Sequence, residues 1–204
     1  IRRKRRIFMG NDWQVLKREL EDHAEKKGVP IIRGPERELL LKAAALAKPR
    51  RMLEIGTAIG YSALLLAERF PKAQIHTVEL DEERYHMAVQ VMERAGLTGR
   101  VHCMLGDAGQ VIPTLSGPYD FLFLDGPKGQ YLRELKAIEP LLSEKAVIAA
   151  DNVLFRGLVE AKDPVPHRYR TLVMRLREYV AYVNEKYETH IYEEGDGLAV
   201  SLKK

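Results

Sequence analysis

Met52-Leu53-Glu54-Ile55-Gly56-Thr57-Ala58-Ile59-Gly60-Tyr61-Ser62-Ala63-Leu64-Leu65-Leu66 opens as a short apolar run, breaks at two glycines and resumes as a second apolar stretch. A buried strand, a tight turn and a helix follow from that order, because strands covered on both faces read as continuous apolar runs. The unit recurs. Residues 75–80, 101–105, 121–124 and 146–150 are further apolar runs, and 61–70, 83–95, 109–115 and 130–142 read as the intervening helices. Repeated strand–helix units predict an α/β fold with a mostly parallel sheet and helices on both faces. A further long helix is expected over 168–186. After it, 189–192 and 198–202 flank Gly195-Asp196-Gly197, the turn of a C-terminal antiparallel hairpin. Upstream, Trp13, Leu16, Leu20 and Ala24 form a helical stripe that Gly28 stops. Val29-Pro30-Ile31-Ile32 then reads as an extended connector, since the residue before proline is driven from helical angles. A second helix is expected over 35–47, with proline in its first turn and Pro49 beyond its end.

The 204 residues fit one domain over 11–204, with helices in 11–47 and a basic arm over 1–10. The 46% apolar and 30% charged composition excludes a disordered or fibrous chain. No apolar run reaches the ~18 residues of a membrane span, so no membrane partner is expected. A single cysteine, Cys103, excludes a disulfide framework and a cysteine-rich zinc site, which predicts a reducing, cytoplasmic setting. Cys103 itself reads as a small core residue, and the six histidines show no ligand spacing. Lys and Arg number 33 against 29 Asp and Glu, a balance of +4, and Arg2, Arg3, Lys4, Arg5 and Arg6 supply five of the positives. The remainder stands at 28 against 29, so the body is near neutral. Such an arm is either a solvated tail or a contact for nucleic acid or a membrane surface.

The chemistry lies at the strand ends. Gly56 and Gly60 permit a ligand to approach the backbone closely, but their spacing matches neither a dinucleotide fingerprint nor a P-loop. A nucleoside-type ligand without a pyrophosphate survives, with Glu54 offering a carboxylate to a cationic group. Glu79, 25 residues after Glu54 at the next strand end, can accept both hydroxyls of a ribose. Asp107 and the Ala108 N–H follow the third strand, at an adenine edge. Asp125, Asp151 and Asn152 make an all-oxygen set suited to Mg²⁺ or Ca²⁺, although Asp-Asn after a strand also serves as a turn or cap. Lys128 lies three residues past Asp125. It is a candidate base if shielded beside a cation, and otherwise a surface lysine. Asp196 reads as the hairpin turn itself. Arg168, Tyr169 and Arg170 either border a substrate or form a solvated helix face.

The segments LEIGTAIGYSA, GDA, DGPKGQY and DNVLFRG resemble the class I S-adenosylmethionine-dependent O-methyltransferases of the catechol and caffeoyl-CoA type. Within that group the chain is most similar to the bacterial tRNA 5-hydroxyuridine methyltransferases. The likeness to the class covers about 13–202, and that to the tRNA enzymes extends to the front helix, the Val29–Ile32 connector and the closing GDGLAVSLKK. The resemblance implies a Rossmann-like, seven-stranded sheet, S-adenosylmethionine and Mg²⁺ as cofactors, and cofactor contacts at Ile32, Glu54, Ser62, Glu79, Asp107, Ala108 and Asp125. It also implies metal ligands at Asp125, Asp151 and Asn152, and Lys128 as the proton acceptor. Gly126-Pro127 departs from the small, freer residues of close relatives, so the Lys128 loop is expected to be stiffer.

Mg²⁺-assisted methylation needs two adjacent acceptor oxygens. A catechol-like or caffeoyl-CoA-like small acceptor offers them, and so does 5-hydroxyuridine through O5 and O4, which at the wobble position of a tRNA anticodon stem-loop gives 5-methoxyuridine. Both acceptors remain open, as does a non-catalytic cofactor-binding module that uses the arm. The Trp13 stripe suits docking or exchange in a homodimer, or else packing within the chain over the cofactor site.

Overall fold

The computed structural model describes residues 10–203, so the Arg2–Arg6 arm lies outside the described residues. Seven strands form one sheet in the order β3-β2-β1-β4-β5-β7-β6. β1 is Arg51–Ile55, β2 Gln74–Glu79, β3 Val101–Leu105, β4 Tyr119–Leu124 and β5 Leu142–Ala150, all mutually parallel. β6 (Tyr187–Tyr192) and β7 (Leu198–Lys203) are the expected hairpin, and β7 enters antiparallel between β5 and β6.

Two apolar layers cover the sheet. On one face pack α1 (Gly10–Lys27), α2 (Gly34–Ala47), α3 (Tyr61–Arg69) and α4 (Glu82–Arg94), around Leu40, Leu64, Phe121 and Phe123. On the other lie α5 (Ala108–Val111), α6 (Tyr131–Ile138) and α7 (Arg170–Lys186), around Leu53, Leu122, Tyr131 and Tyr179. Successive strands run outward from β1 through β2 to β3, then return to β4 on its other side. The loops after β1 and β4 therefore diverge, and a crevice opens at the carboxyl ends of these strands.

Proline shortens two helices. The helix expected over 109–115 becomes α5 plus a 3-10 turn at Ile112–Thr114, because Pro113 supplies no N–H and clashes with the preceding turn. The helix expected over 130–142 ends as α6 at Ile138, ahead of a 3-10 turn containing Pro140. Residues 168 and 169 likewise belong to a 3-10 turn before α7. β5 begins earlier than expected, at Leu142, because the polar Ser143-Glu144-Lys145 lie on its open end while Ala146–Ala150 are buried.

The α1 stripe is consumed within the chain. Leu16, Leu20 and Ala24 join the core of the α3 face, Lys17 pairs with Glu68 of α3, and Glu21 accepts from Tyr61 and Arg37. The stripe packs toward α3 rather than over the crevice. Among the described residues no helix is long and apolar enough to cross a membrane.

Candidate functional site

The loop after β1 is folded across the end of β2: the Gly56 and Thr57 N–H groups both donate to the Val78 carbonyl, at 2.9 and 3.1 Å. Gly56 has φ +101°, and a Cβ there would lie 2.6 Å from the Asp125 carbonyl carbon and oxygen. Only glycine lets β1 and β4 end this close together. Gly60 starts α3 in the left-handed region, where a Cβ would meet Ala88 at 3.2 Å and Met92 at 3.1 Å. Its role is to seat α3 on α4.

A cavity of about 630 Å³ opens above these turns. Ile32, Gly56, Glu79, Asp107, Ala108, Asp125, Lys128, Asp151 and Asn152 all line it. Glu54, Gly60 and Ser62 do not. Glu54 is fully buried beneath the floor, accepting from the Thr77 hydroxyl, and its other oxygen has no partner among the described residues. Burial pushes its carboxyl up to about 7, against the Ser62 and Thr77 hydroxyls that favour the charged form. The acid read as facing a cationic ligand thus lies beneath the cavity and does not line it.

Glu79 is held rigidly. Its two oxygens accept from the Ala58 N–H at 2.7 Å and the Asp81 N–H at 2.9 Å, leaving lone pairs toward the cavity. Asp107 caps α5, accepting from the Gly109 N–H at 2.8 Å with one oxygen only. Leu80, 61% exposed, lines the same end of the cavity, an apolar surface that a flat ligand would cover.

The opposite end is acidic. Leu124 pairs with Ala150, so Asp125 and Asp151 stand side by side at adjacent strand ends. Burial raises the Asp125 carboxyl well above the usual range, Asp151 raises it further, and Lys128 opposes both. Asp151 is pushed up to about 6, by burial first and then by Glu36, again against Lys128. Its buried Oδ1 has no hydrogen-bond partner among the described residues. Asn152 sits at φ +54°, a conformation asparagine tolerates, which turns the chain at this point. Among the described residues no group of three or more His, Cys, Asp or Glu could hold a metal ion. Two crowded carboxylates, one with an orphaned oxygen, and an amide nonetheless fit a hard divalent cation in donor type.

The Asp151 loop is tied down from far along the chain. Val153 and Leu154 donate to the Gly197 and Asp196 carbonyls, and the Arg156 N–H donates to the Asp196 carboxylate at 2.6 Å. Asp196 is therefore more than a hairpin turn. Its own N–H donates to Glu36, which lines the cavity from α2. A Cβ on Gly197 would lie 2.4 Å from Leu154, so the turn fits the loop only as glycine.

Glu36, Leu80, Arg84, Gln130 and Glu134 also line the cavity, and the sequence had not marked them. Glu36 looks like an ordinary first-turn acid. Glu134 did carry a signal: it shares the buried stripe of α6 with Tyr131, Leu135 and Ile138. Beyond Asn152, and outside the cavity lining, Phe155 and Tyr169 meet edge to face at 5.3 Å, with the Arg156 and Arg168 guanidiniums over Tyr169 at 5.9 and 4.6 Å. Arg156, Arg168 and Arg170 are exposed there.

A family model described as O-methyltransferase matches residues 12–204. The curated relatives include "Probable O-methyltransferase Rv1703c" of Mycobacterium tuberculosis, 32% identical over 184 residues, covering 84% of this chain and 75% of that protein. They also include the caffeoyl-CoA O-methyltransferase of Medicago sativa, 29% identical over 177 residues, covering 81% and 71%. Among solved structures, the SAH-bound methyltransferase PaMTH1 of Podospora anserina superposes with a TM-score of 0.78 at 27% identity, covering 95% of this chain and 86% of that one.

Proposed function

Because the chain belongs to the O-methyltransferase family, we propose that it moves the methyl group of S-adenosylmethionine to a hydroxyl oxygen of an acceptor with two adjacent oxygens. The convergence of Glu79, Asp107, Asp125 and Lys128 on one cavity carries this reading. SAH in the Podospora neighbour supports the cofactor. Glu79 holds the ribose hydroxyls, while Asp107 and the Ala108 N–H take the adenine. Ile32, Gly56 and Asp125 line the path toward the sulfonium, and buried Glu54, braced by Ser62, biases that floor toward positive charge.

Asp125, Asp151 and Asn152 are the residues that would hold Mg²⁺, which when bound supplies positive charge favouring the ionised form of an acceptor oxygen. Lys128 takes the hydroxyl proton. S-adenosylmethionine, when bound, would supply the methyl group, the carbon–oxygen bond forming as the carbon–sulfur bond breaks and a neutral thioether remaining. The residues contribute mainly by positioning these three atoms in line.

For the acceptor we propose 5-hydroxyuridine at the wobble position of a tRNA anticodon stem-loop. The exposed Arg156 and Arg168 beside Tyr169 support it, since guanidiniums with an aromatic ring suit phosphates and an unpaired base. A small acceptor such as caffeoyl-CoA is the second reading, favoured by the name of the Medicago relative. Purified protein with S-adenosylmethionine and Mg²⁺, offered a 5-hydroxyuridine stem-loop, caffeoyl-CoA and a catechol in parallel, decides between them. Methylation of the small acceptors alone rejects the tRNA assignment, and no methylation of any rejects the reaction.

Two further outcomes are expected. Glu79→Ala weakens S-adenosylhomocysteine binding by about 1–3 kcal/mol, the scale of a charge-assisted hydrogen bond, with no change in Mg²⁺ dependence. Calorimetry checks it, and an unaltered dissociation constant moves the ribose elsewhere. Removing residues 2–6 weakens tRNA binding and flattens its salt dependence, by up to about 3.5 in log–log slope if all five cations meet phosphates at roughly 0.7 each. Small-acceptor turnover stays unchanged. Equal slopes for both forms leave the arm a solvated tail.

A further inference from the structure

Glu134 is a buried carboxylic acid with one oxygen left unmet. It is 2% exposed on the buried stripe of α6, lines the cavity, and its Oε2 has no hydrogen-bond partner among the described residues. An unmet buried oxygen of this kind is destabilising unless a ligand meets it. Neighbouring groups do not account for it. Arg133, the adjacent cation, gives its guanidinium N–H to Gln130, and Asp107, close enough to be felt, repels the charged form.

Asp107 also fixes which part of a ligand Glu134 meets. The proposed cofactor site puts the adenine against Asp107 and Ala108, and the inference rests on that assignment. The N6 amine of adenine has two hydrogens, one beside N1 and one beside N7. Asp107 and the Ala108 N–H account for the N1 side, leaving the N7 side to whatever stands next to Asp107.

We propose that Glu134 reads this second edge, its carboxyl donating to N7 and accepting the remaining N6 hydrogen. That is the pairing a glutamine amide makes with adenine in a nucleic acid groove. Burial, with Asp107 adding to it and Arg133 opposing, holds the carboxyl up to about 7, so the acid form needed to donate is accessible near neutrality. Glu134 is thus a specificity-determining residue for the cofactor's base, separate from the acids of the metal end.

Calorimetry with S-adenosylhomocysteine and its 7-deaza-adenine analogue tests the assignment on wild type, Glu134→Gln and Glu134→Leu. Wild type is expected to bind the 7-deaza analogue about tenfold more weakly than S-adenosylhomocysteine. Glu134→Gln should keep that preference. Glu134→Leu should bind S-adenosylhomocysteine about tenfold more weakly, bind the analogue about as wild type does, and so lose the preference. Wild type binding both ligands equally overturns the proposal without any variant, and so does Glu134→Leu losing both ligands alike, the mark of a structural role. Wild type binding neither ligand overturns the cofactor site itself and this proposal with it, an outcome distinct from the other two.

Discussion

Asp151→Ala lowers methyl transfer by more than about 100-fold and leaves the dissociation constant of S-adenosylhomocysteine within about twofold. Even the outer partners of a metal site typically cost 10–100-fold when removed, and Asp151 is a direct ligand in the proposed site. Its carboxylate carries the orphaned oxygen of the acidic end, whereas the proposed ribose and adenine contacts, Glu79 and Asp107, lie at the ends of β2 and β3, three and four strands from β5 across the sheet. Turnover and calorimetry on the same preparation check both halves. Cofactor affinity that collapses together with activity shows one merged site instead of two ends of a cavity.

Lys128→Met lowers turnover by about 10²–10⁴-fold, the range for a positioned general base, with cofactor affinity unchanged. The loss should shrink as pH rises toward the ionisation of the acceptor hydroxyl, because a pre-ionised oxygen no longer needs the amine. Lys128→Arg should not rescue activity, since a guanidinium does not give up its proton. A rate profile against pH for wild type and both variants reads this out. A Met variant that runs parallel to wild type across the whole range removes Lys128 from the chemistry.

Most of the strand framework was legible because strands buried on both faces leave continuous apolar runs, and β1 to β5 all did. The acids at their carboxyl ends, Glu79, Asp107, Asp125 and Asp151, could be located from strand order alone, since parallel topology brings successive ends to one edge. Helix ends were less legible where Pro113 and Pro140 lay inside apolar patterns. Glu36 could not be told from the acids that favour any helix N-terminus on electrostatic grounds. Glu134 could have been found, because a charged residue in an apolar stripe needs a reason. Glu54 shows the converse limit. Its position in the motif was plain, but whether its side chain rises into the cavity or points beneath the floor depends on Thr77 and Ser62, which only the folded sheet sets beside it.

The hydrogen bonds between the Asp151 loop and the Gly195-Asp196-Gly197 turn bear on how the molecule comes off the ribosome. Every acid lining the cavity is synthesised by the time Asp151 emerges, yet the turn that secures its loop follows about 40 residues later. β7 must also slot between β5 and β6, so β5 keeps a bare edge until the last strand arrives. A nascent chain stopped short of residue 195 therefore carries the Glu79–Asp107 end of the cavity on finished strands while the Asp151 loop at the other end lacks its ties to the turn. The two ends of one cavity are born at different times.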